Sequence, residues 1–131
     1  MEQLQFYKTI FKSNIYISEK IKGSKFITLI NHIESKKDAE DFLLSVKKKY
    51  FDATHHCYAY KLKTDGQTIV KFSDDGEPSN TAGKPILNVI EHSEITNIIV
   101  IVVRYFGGTK LGTGGLIKAY TDSAKDGLSD C

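Results

Sequence analysis

The sequence predicts an α+β fold, a two-layer sandwich in which one mixed sheet carries helices on one face. Runs of β-branched and aromatic residues mark the strands, and apolar residues at helical spacing mark three helices. These elements follow one another as strands, helix, hairpin, helix, strand and helix. The 131 residues contain no repeat or Pro-rich linker, so a single domain over residues 1–131 is expected.

The first part of the chain predicts two strands and a helix. Residues 6–17 and residues 25–33 are rich in aromatic and β-branched side chains, as in strands. Ser35 suits the N-cap of the first helix, and Asp38 three residues later gives a variant capping box. Apolar residues then recur at helical spacing from Ala39 to Tyr50, which gives this helix one apolar face.

The middle of the chain predicts a hairpin and a second helix. Strand-like residues 56–62 and 68–72 flank Asp65-Gly66, and Asp-Gly between two such runs is typical of a tight hairpin turn. Pro85 suits the first turn of the helix that follows.

A glycine-rich loop, residues 107–115, follows an apolar strand predicted over residues 98–103 that is buried on both faces. A third helix runs from Leu116, with Thr113 as its expected N-cap. Glycines permit close approach to the backbone, and free N–H groups at a helix N-terminus bind anions. The spacing matches neither Gly-x4-Gly-Lys-Ser/Thr nor Gly-x-Gly-x-x-Gly, so a nucleotide hydrolase is not predicted. The candidate anion- or nucleic-acid-binding residues are Arg104, Tyr105, Gly107, Gly108, Lys110, Gly112, Gly114, Gly115 and Lys118.

An acidic loop, residues 74–83, carries three carboxylates in four residues. Asp74, Asp75 and Glu77 have the chemistry for a Mg²⁺ site or an acid–base pair, but they also suit a turn. We interpret them as residues that position the loop, together with Ser79 and Thr81, whose hydroxyls are expected to cap the second helix.

The segment His55-His56-Cys57 combines residue types found in zinc sites and in thiol enzymes. Because side chains alternate along a strand, only His55 and Cys57 share a face, and no metal site is predicted. We expect His55 to reach the acidic loop as a hydrogen-bonded partner. The alternative is an enzyme in which His55, Asp75 and Glu77 act on an anionic substrate.

Composition excludes several classes of protein. The net charge of +2 is too small to indicate nucleic-acid binding without local clustering. Two cysteines 74 positions apart predict no disulfide framework, and a reducing compartment is the simpler interpretation. No signal peptide and no apolar run of about 20 residues is present, so a cytoplasmic protein without membrane contact or cofactor is expected.

Two long motifs, residues 74–87 and 102–120, resemble those of the IMPACT/YigZ family, as does the Ala-x-His segment at residues 53–59. The resemblance extends over roughly residues 7–128. It implies a fold similar to a domain of a small-subunit ribosomal protein and to domain IV of elongation factor G. Asn80 stands where the family has Gly, and the second, ferredoxin-like domain of bacterial relatives is expected to be absent.

The resemblance also implies a role in translation. Eukaryotic members restrain the kinase that senses uncharged tRNA by competing for its ribosome-associated activator. The expected function is a non-enzymatic module that contacts RNA, the ribosome or a translation-associated protein through the glycine loop. The alternatives are a small hydrolase or transferase, and a protein-interaction regulator of a kinase pathway.

Overall fold

A computed structural model describes residues 9, 10, 13–129 and 131. Within these residues the chain forms β1 (Asn14–Ile17), β2 (Lys25–His32), α1 (Lys36–Lys49), β3 (His55–Thr64), β4 (Gln67–Ser73), α2 (Gly83–Ser93), β5 (Ile98–Tyr105) and α3 (Gly112–Ser129). The strands make one sheet in the order β1-β2-β5-β3-β4, and every neighbouring pair is antiparallel.

Local signals in the sequence place most of these elements correctly. Ser35 caps α1, since its side chain accepts a hydrogen bond from the Asp38 N–H. Asp65 and Gly66 form the two-residue turn between β3 and β4, with φ of 49° and 76°. The first predicted strand is described only as β1, because part of residues 6–17 lies outside the described residues. The N-cap prediction for Thr113 is wrong: α3 begins at Gly112, so Thr113 lies inside its first turn.

The α+β class with one sheet is confirmed, but the predicted layering is wrong. Helices α2 and α3 pack on one face of the sheet, over Phe26, Cys57 and Val102 among others. Helix α1 packs on the opposite face, over Ile27, Tyr60 and others. Strand β5 lies at the centre and is apolar on both sides, so each of its faces requires a cover.

The sheet is antiparallel rather than mixed because helical connections join strands that are not neighbours. Helix α1 links β2 to β3, which run in the same direction on either side of β5. Helix α2 links β4 to β5, which run in the same direction on either side of β3. An antiparallel strand therefore separates the members of each parallel pair.

A candidate site between the acidic and glycine loops

The start of β3 and the end of β5 bring the acidic loop and the glycine loop together. His55 lies opposite Arg104 in the register of these strands. The glycine loop, which follows β5, and the acidic loop, which contacts the start of β3, therefore lie at the same edge of the domain. A cavity of about 420 Å³ opens between the two loops. The polar side chains that line it are Thr54, His55, Glu77, Arg104, Lys110 and Thr113, with Phe106, Leu111 and Leu116 among the apolar ones.

Asp74 organises the acidic loop from within. Its Oδ1 accepts hydrogen bonds from the Ala82 and Gly83 N–H groups at 3.1 and 2.8 Å, and its Oδ2 accepts one from Asn80 at 2.8 Å. Asp74 therefore satisfies two of the free donors at the N-terminus of α2. Asn80 adopts φ of 64°, a left-handed conformation that asparagine tolerates.

The hydroxyls expected to cap α2 do not do so. Thr81 donates instead to the Pro78 carbonyl, and its buried backbone continues into the helix start. Ser79 is exposed. The N-cap residue of α2 is Ala82, which has no side-chain oxygen, and the distant Asp74 takes over that role.

Glu77 and Arg104 form a buried ion pair at the floor of the cavity. Their side chains are 3% and 5% exposed, and the Arg104 Nη1 lies 2.8 Å from the Glu77 Oε2. The Ser24 hydroxyl accepts from the Arg104 Nε and Nη2, and the Tyr120 hydroxyl donates to the Glu77 Oε2 at 2.5 Å. Both charges are thus paired and further hydrogen-bonded, as the burial of ions requires.

His55 contacts the acidic loop, as the sequence predicts. Its Nδ1 lies 2.8 Å from the Asp75 carbonyl oxygen, and because a carbonyl only accepts, Nδ1 carries the hydrogen. Its Nε2 lies 3.4 Å from the Glu77 Oε1 beside the cavity. The Asp75 carboxylate instead accepts from the His56 N–H at 2.7 Å, so Asp75 lies outside the cavity lining.

Cys57 and Tyr120 form the buried end of this network. The Cys57 thiol donates to the Asp74 carbonyl at 3.1 Å, and the Tyr120 hydroxyl is 3.4 Å from the sulfur. Burial raises the pKa of the Cys57 thiol well above its usual value, and burial likewise raises the pKa of the Tyr120 hydroxyl. Both groups therefore stay protonated, which makes Cys57 a core residue rather than a nucleophile.

The glycines of the glycine loop differ in what requires the absence of a side chain. Gly107 is required by packing, since a Cβ on it would lie 2.0 Å from the Gly23 carbonyl carbon. Gly108 and Gly112 adopt positive φ, and a Cβ on either, or on Gly114, would meet open space. A Cβ on Gly115 would lie 3.2 Å from the Cβ of Leu111. Packing accounts for Gly107, whereas neither packing nor φ accounts for Gly114.

The cations predicted to bind anions differ in availability. Arg104 is buried and paired, so its guanidinium supports the loop rather than projecting from it. Lys118 is exposed on α3 and pairs with Asp122 at 2.9 Å. Lys110 is exposed at the cavity, and within the described residues it forms no ion pair.

The side chains of Arg104, Tyr105 and Phe106 are divided between the two faces of the sheet. The Arg104 guanidinium carbon lies 5.4 Å from the Phe106 ring centroid, on the face of the cavity. Tyr105 packs on the α1 face, where its hydroxyl donates to Asp52 at 2.9 Å. Burial and this hydrogen bond raise the pKa of Tyr105 to about 12.

Sequence reasoning misses two residues of the buried network. Ser24 carries no signal, since a lone serine before a strand has many uses. Tyr120 fits the apolar face of α3 by its spacing, although a buried tyrosine usually finds a partner for its hydroxyl.

Across residues 9–10, 13–129 and 131, no three His, Cys, Asp or Glu side chains are placed to hold a metal ion. In the same part of the chain, no helix has the length and apolar character to cross a membrane.

The antiparallel α+β fold and this pair of loops together define a class of protein. Comparisons with known proteins identify the family to which the domain belongs. The family model for the Impact N-terminal domain matches residues 22–128. The chain is 44% identical over 115 residues to the IMPACT family member YigZ of Escherichia coli, covering 87% of this chain and 56% of that protein. It is 43% identical over 118 residues to an IMPACT family member of Haemophilus influenzae, covering 89% and 57%. The chain therefore belongs to the IMPACT family.

Two solved structures are similar to the domain. One, described as a hypothetical protein, aligns with a TM-score of 0.84 at 42% identity, covering 89% of this chain and 57% of that one. The other, the two-domain translational regulator Yih1, aligns with a TM-score of 0.57 at 26% identity, covering 99% and 52%. The chain spans about half the length of the curated relatives it matches.

Proposed function

We propose that this domain is a non-enzymatic module of translation regulation that contacts RNA, the ribosome or a translation-associated protein through the glycine loop. One observation carries the proposal: the loop combines an exposed Lys110, unpaired among the described residues, with open backbone at Gly108, Gly112 and Gly114. The similarity to Yih1, a translational regulator, supports the translation context. A module with this role works in the cytoplasm.

The open backbone favours an anionic partner. The first N–H groups of α3 have no partner within the helix, and they carry the positive end of its dipole. Lys110 adds a full charge beside them, at the cavity mouth. Phosphate groups of RNA, or carboxylates of a protein, match this combination.

Gly114 supports a contact at close range. Glycine inside a helix is less favourable than alanine by about 0.5–1 kcal/mol, and the space around Gly114 is open. The fold therefore gives no reason for a glycine at this position. A partner backbone or phosphate that approaches α3 closely does give one.

The acidic loop has a supporting role in this proposal. Asp74 accepts three backbone hydrogen bonds, and Glu77 is engaged by Arg104 and Tyr120. Carboxylates held in this way position a loop and are poorly placed to exchange protons with a substrate.

Co-sedimentation with ribosomes across a salt series tests the proposal. Wild type is expected to bind at low salt and to dissociate steeply as salt rises. Lys110→Glu is expected to remain in the supernatant, and Lys125→Glu, an equal charge change at the far end of α3, is expected to bind like wild type. Equal binding by all three proteins would contradict the role of the glycine loop, and no binding by wild type would exclude the ribosome as the partner.

A small hydrolase or transferase is the second candidate, and the geometry of His55 favours it. Its Nδ1–H is anchored on the Asp75 carbonyl, which leaves Nε2 as the ring nitrogen beside the cavity, 3.4 Å from the Glu77 Oε1. An imidazole held in this way can accept a proton from a nucleophile. Assays with a panel of phosphate and carboxylate esters test this: turnover that His55→Gln abolishes would favour the enzyme, and absence of turnover across the panel would count against it.

A further inference from the structure

A second cavity lies on the opposite face of the sheet from the first. It has a volume of about 300 Å³, and its wall comes from the β1–β2 turn, the start of β2, the end of α1 and the end of β5. The residues that line it include Lys20, Gly23, Lys25, Tyr50, Tyr105 and Phe106. We call this the lysine groove.

The lysine groove is electropositive. Lys20, Lys22 and Lys25 cluster within and beside it, and none of them forms an ion pair with any residue that the structure describes. Lys49 adds a further cation, with its Nζ 5.5 Å from the centroid of the Tyr50 ring. Asp52, an acid in contact with the groove wall, accepts the hydrogen bond of the Tyr105 hydroxyl.

The groove also presents aromatic surface next to these cations. Tyr105 lies directly opposite Lys25 in the β2–β5 register, so a ring and an ammonium group stand side by side. The Phe106 side chain is 47% exposed and lines both this groove and the cavity of the glycine loop. Rings that alternate with cations match the bases and phosphates of a nucleic-acid single strand, which acidic peptides do not offer.

The two sites are joined through their backbones. Gly23 in the groove and Gly107 in the glycine loop are in such close contact that a Cβ on Gly23 would lie 2.9 Å from the Gly107 carbonyl oxygen. The Gly107 N–H donates to the Ser24 hydroxyl, which ties the turn to the loop. A single strand of nucleic acid in the lysine groove reaches the glycine loop by passing over Phe106.

We propose that the lysine groove binds a single-stranded RNA segment, with phosphates on Lys20 and Lys25 and a base stacked on Phe106. This proposal rests on the proposed function and names RNA as its partner. It also extends the contact surface to the α1 face of the sheet, well beyond the glycine loop.

Fluorescence anisotropy with a short labelled oligouridylate tests the groove across a salt series. Removing two phosphate contacts in Lys20→Gln/Lys25→Gln is expected to lower the slope of log affinity against log salt by about 1.4, at ~0.7 for each contact. The matched control is Lys63→Gln/Lys125→Gln, two exposed lysines outside the groove. Phe106→Ala is expected to weaken binding about tenfold, and Phe72→Ala, an exposed ring on β4, is expected to leave it unchanged.

The outcomes separate this proposal from the proposed function. A groove pair that binds oligouridylate with the affinity and slope of the control pair would overturn it. Ribosome binding by wild type without any oligouridylate binding would also overturn it, while leaving the proposed function intact. Tighter binding of a polyglutamate peptide than of oligouridylate would show an acidic protein segment as the occupant and would overturn it as well.

Discussion

The acidic loop and the glycine loop face each other across one cavity, yet they use their residues in opposite ways. The acidic loop engages its carboxylates internally: Asp74 holds the start of α2, and Glu77 is buried against Arg104. The glycine loop leaves its groups open, with Lys110 exposed and Gly114 facing free space. The carboxylates of the acidic loop thus build the scaffold, whereas Lys110 and Gly114 of the glycine loop are available for contact.

This difference separates stability from binding. Substitutions in the acidic loop and its partners are expected to lower the free energy of unfolding, because they break buried hydrogen bonds or an ion pair. Substitutions at the open positions of the glycine loop are expected to change binding while leaving the fold intact. Gly107 is an exception because its role is packing, and Gly108 and Gly112 are exceptions because their φ is positive.

Arg104→Met is expected to have the largest effect on stability. It leaves the Glu77 carboxylate buried without its partner, so the free energy of unfolding is expected to fall by about 3–5 kcal/mol. Urea denaturation measures this. Glu91→Gln is the control, since it removes a half-exposed partner of Lys61 and is expected to cost less than ~1 kcal/mol. A loss for Arg104→Met no larger than the control would show that the pair is not a structural anchor.

Gly107→Ala is expected to come second. The added Cβ meets the Gly23 backbone, which has to shift, and overpacking of this kind costs about 1–3 kcal/mol. Thermal unfolding of this variant beside Gly108→Ala checks the reason, because Gly108 has open space around it and only its positive φ opposes a side chain. Equal stability of wild type and Gly107→Ala would contradict the packing role.

Asp74→Asn is expected to have a smaller effect. The amide retains one oxygen for the N-terminus of α2 but replaces the other with a donor, so the Asn80 N–H loses its charged acceptor, at about 1.5–2 kcal/mol. The matched control is Asp65→Asn in the hairpin turn, where Asn-Gly suits the turn as well as Asp-Gly. Denaturation curves that rank the control as the less stable variant would refute this account of the acidic loop.

Gly114→Ala is expected to have the smallest effect on stability and to act in the opposite direction. Alanine favours the helix by about 0.5–1 kcal/mol and meets no neighbour within 4 Å. We expect a small rise in the thermal midpoint together with weaker binding to ribosomes. A fall in the midpoint would mean that the fold itself needs glycine here, and the argument for close approach at Gly114 would then fail.

Local chemistry makes much of the fold predictable. The Ser35 cap, the Asp65-Gly66 turn and the contact between His55 and the acidic loop all follow from short-range rules of spacing and alternation. The prediction misplaces α1, although the apolar strand β5 gives a signal for its position. A strand with apolar residues at every position from 98 to 103 needs a cover on both faces, and α2 with α3 supply only one.

Long-range pairing makes the rest of the site unpredictable. Arg104 and Glu77 are 27 positions apart, and no local rule pairs them or tells a buried guanidinium from an exposed one. The cap of α2 shows the same limit, since Asp74 lies eight residues before Ala82, beyond the span of a capping box. The sequence indicates open backbone in the glycine loop, but only the packing of Gly23 singles out Gly107.

The most direct test of the central contrast is ribosome co-sedimentation of Lys110→Glu beside Asp74→Asn at equal concentrations of folded protein. The account predicts that Asp74→Asn, though less stable, sediments with ribosomes like wild type, and that Lys110→Glu, with wild-type stability, stays in the supernatant. Loss of binding in Asp74→Asn together with full binding by Lys110→Glu would contradict it, because the acidic loop would then be the contact surface.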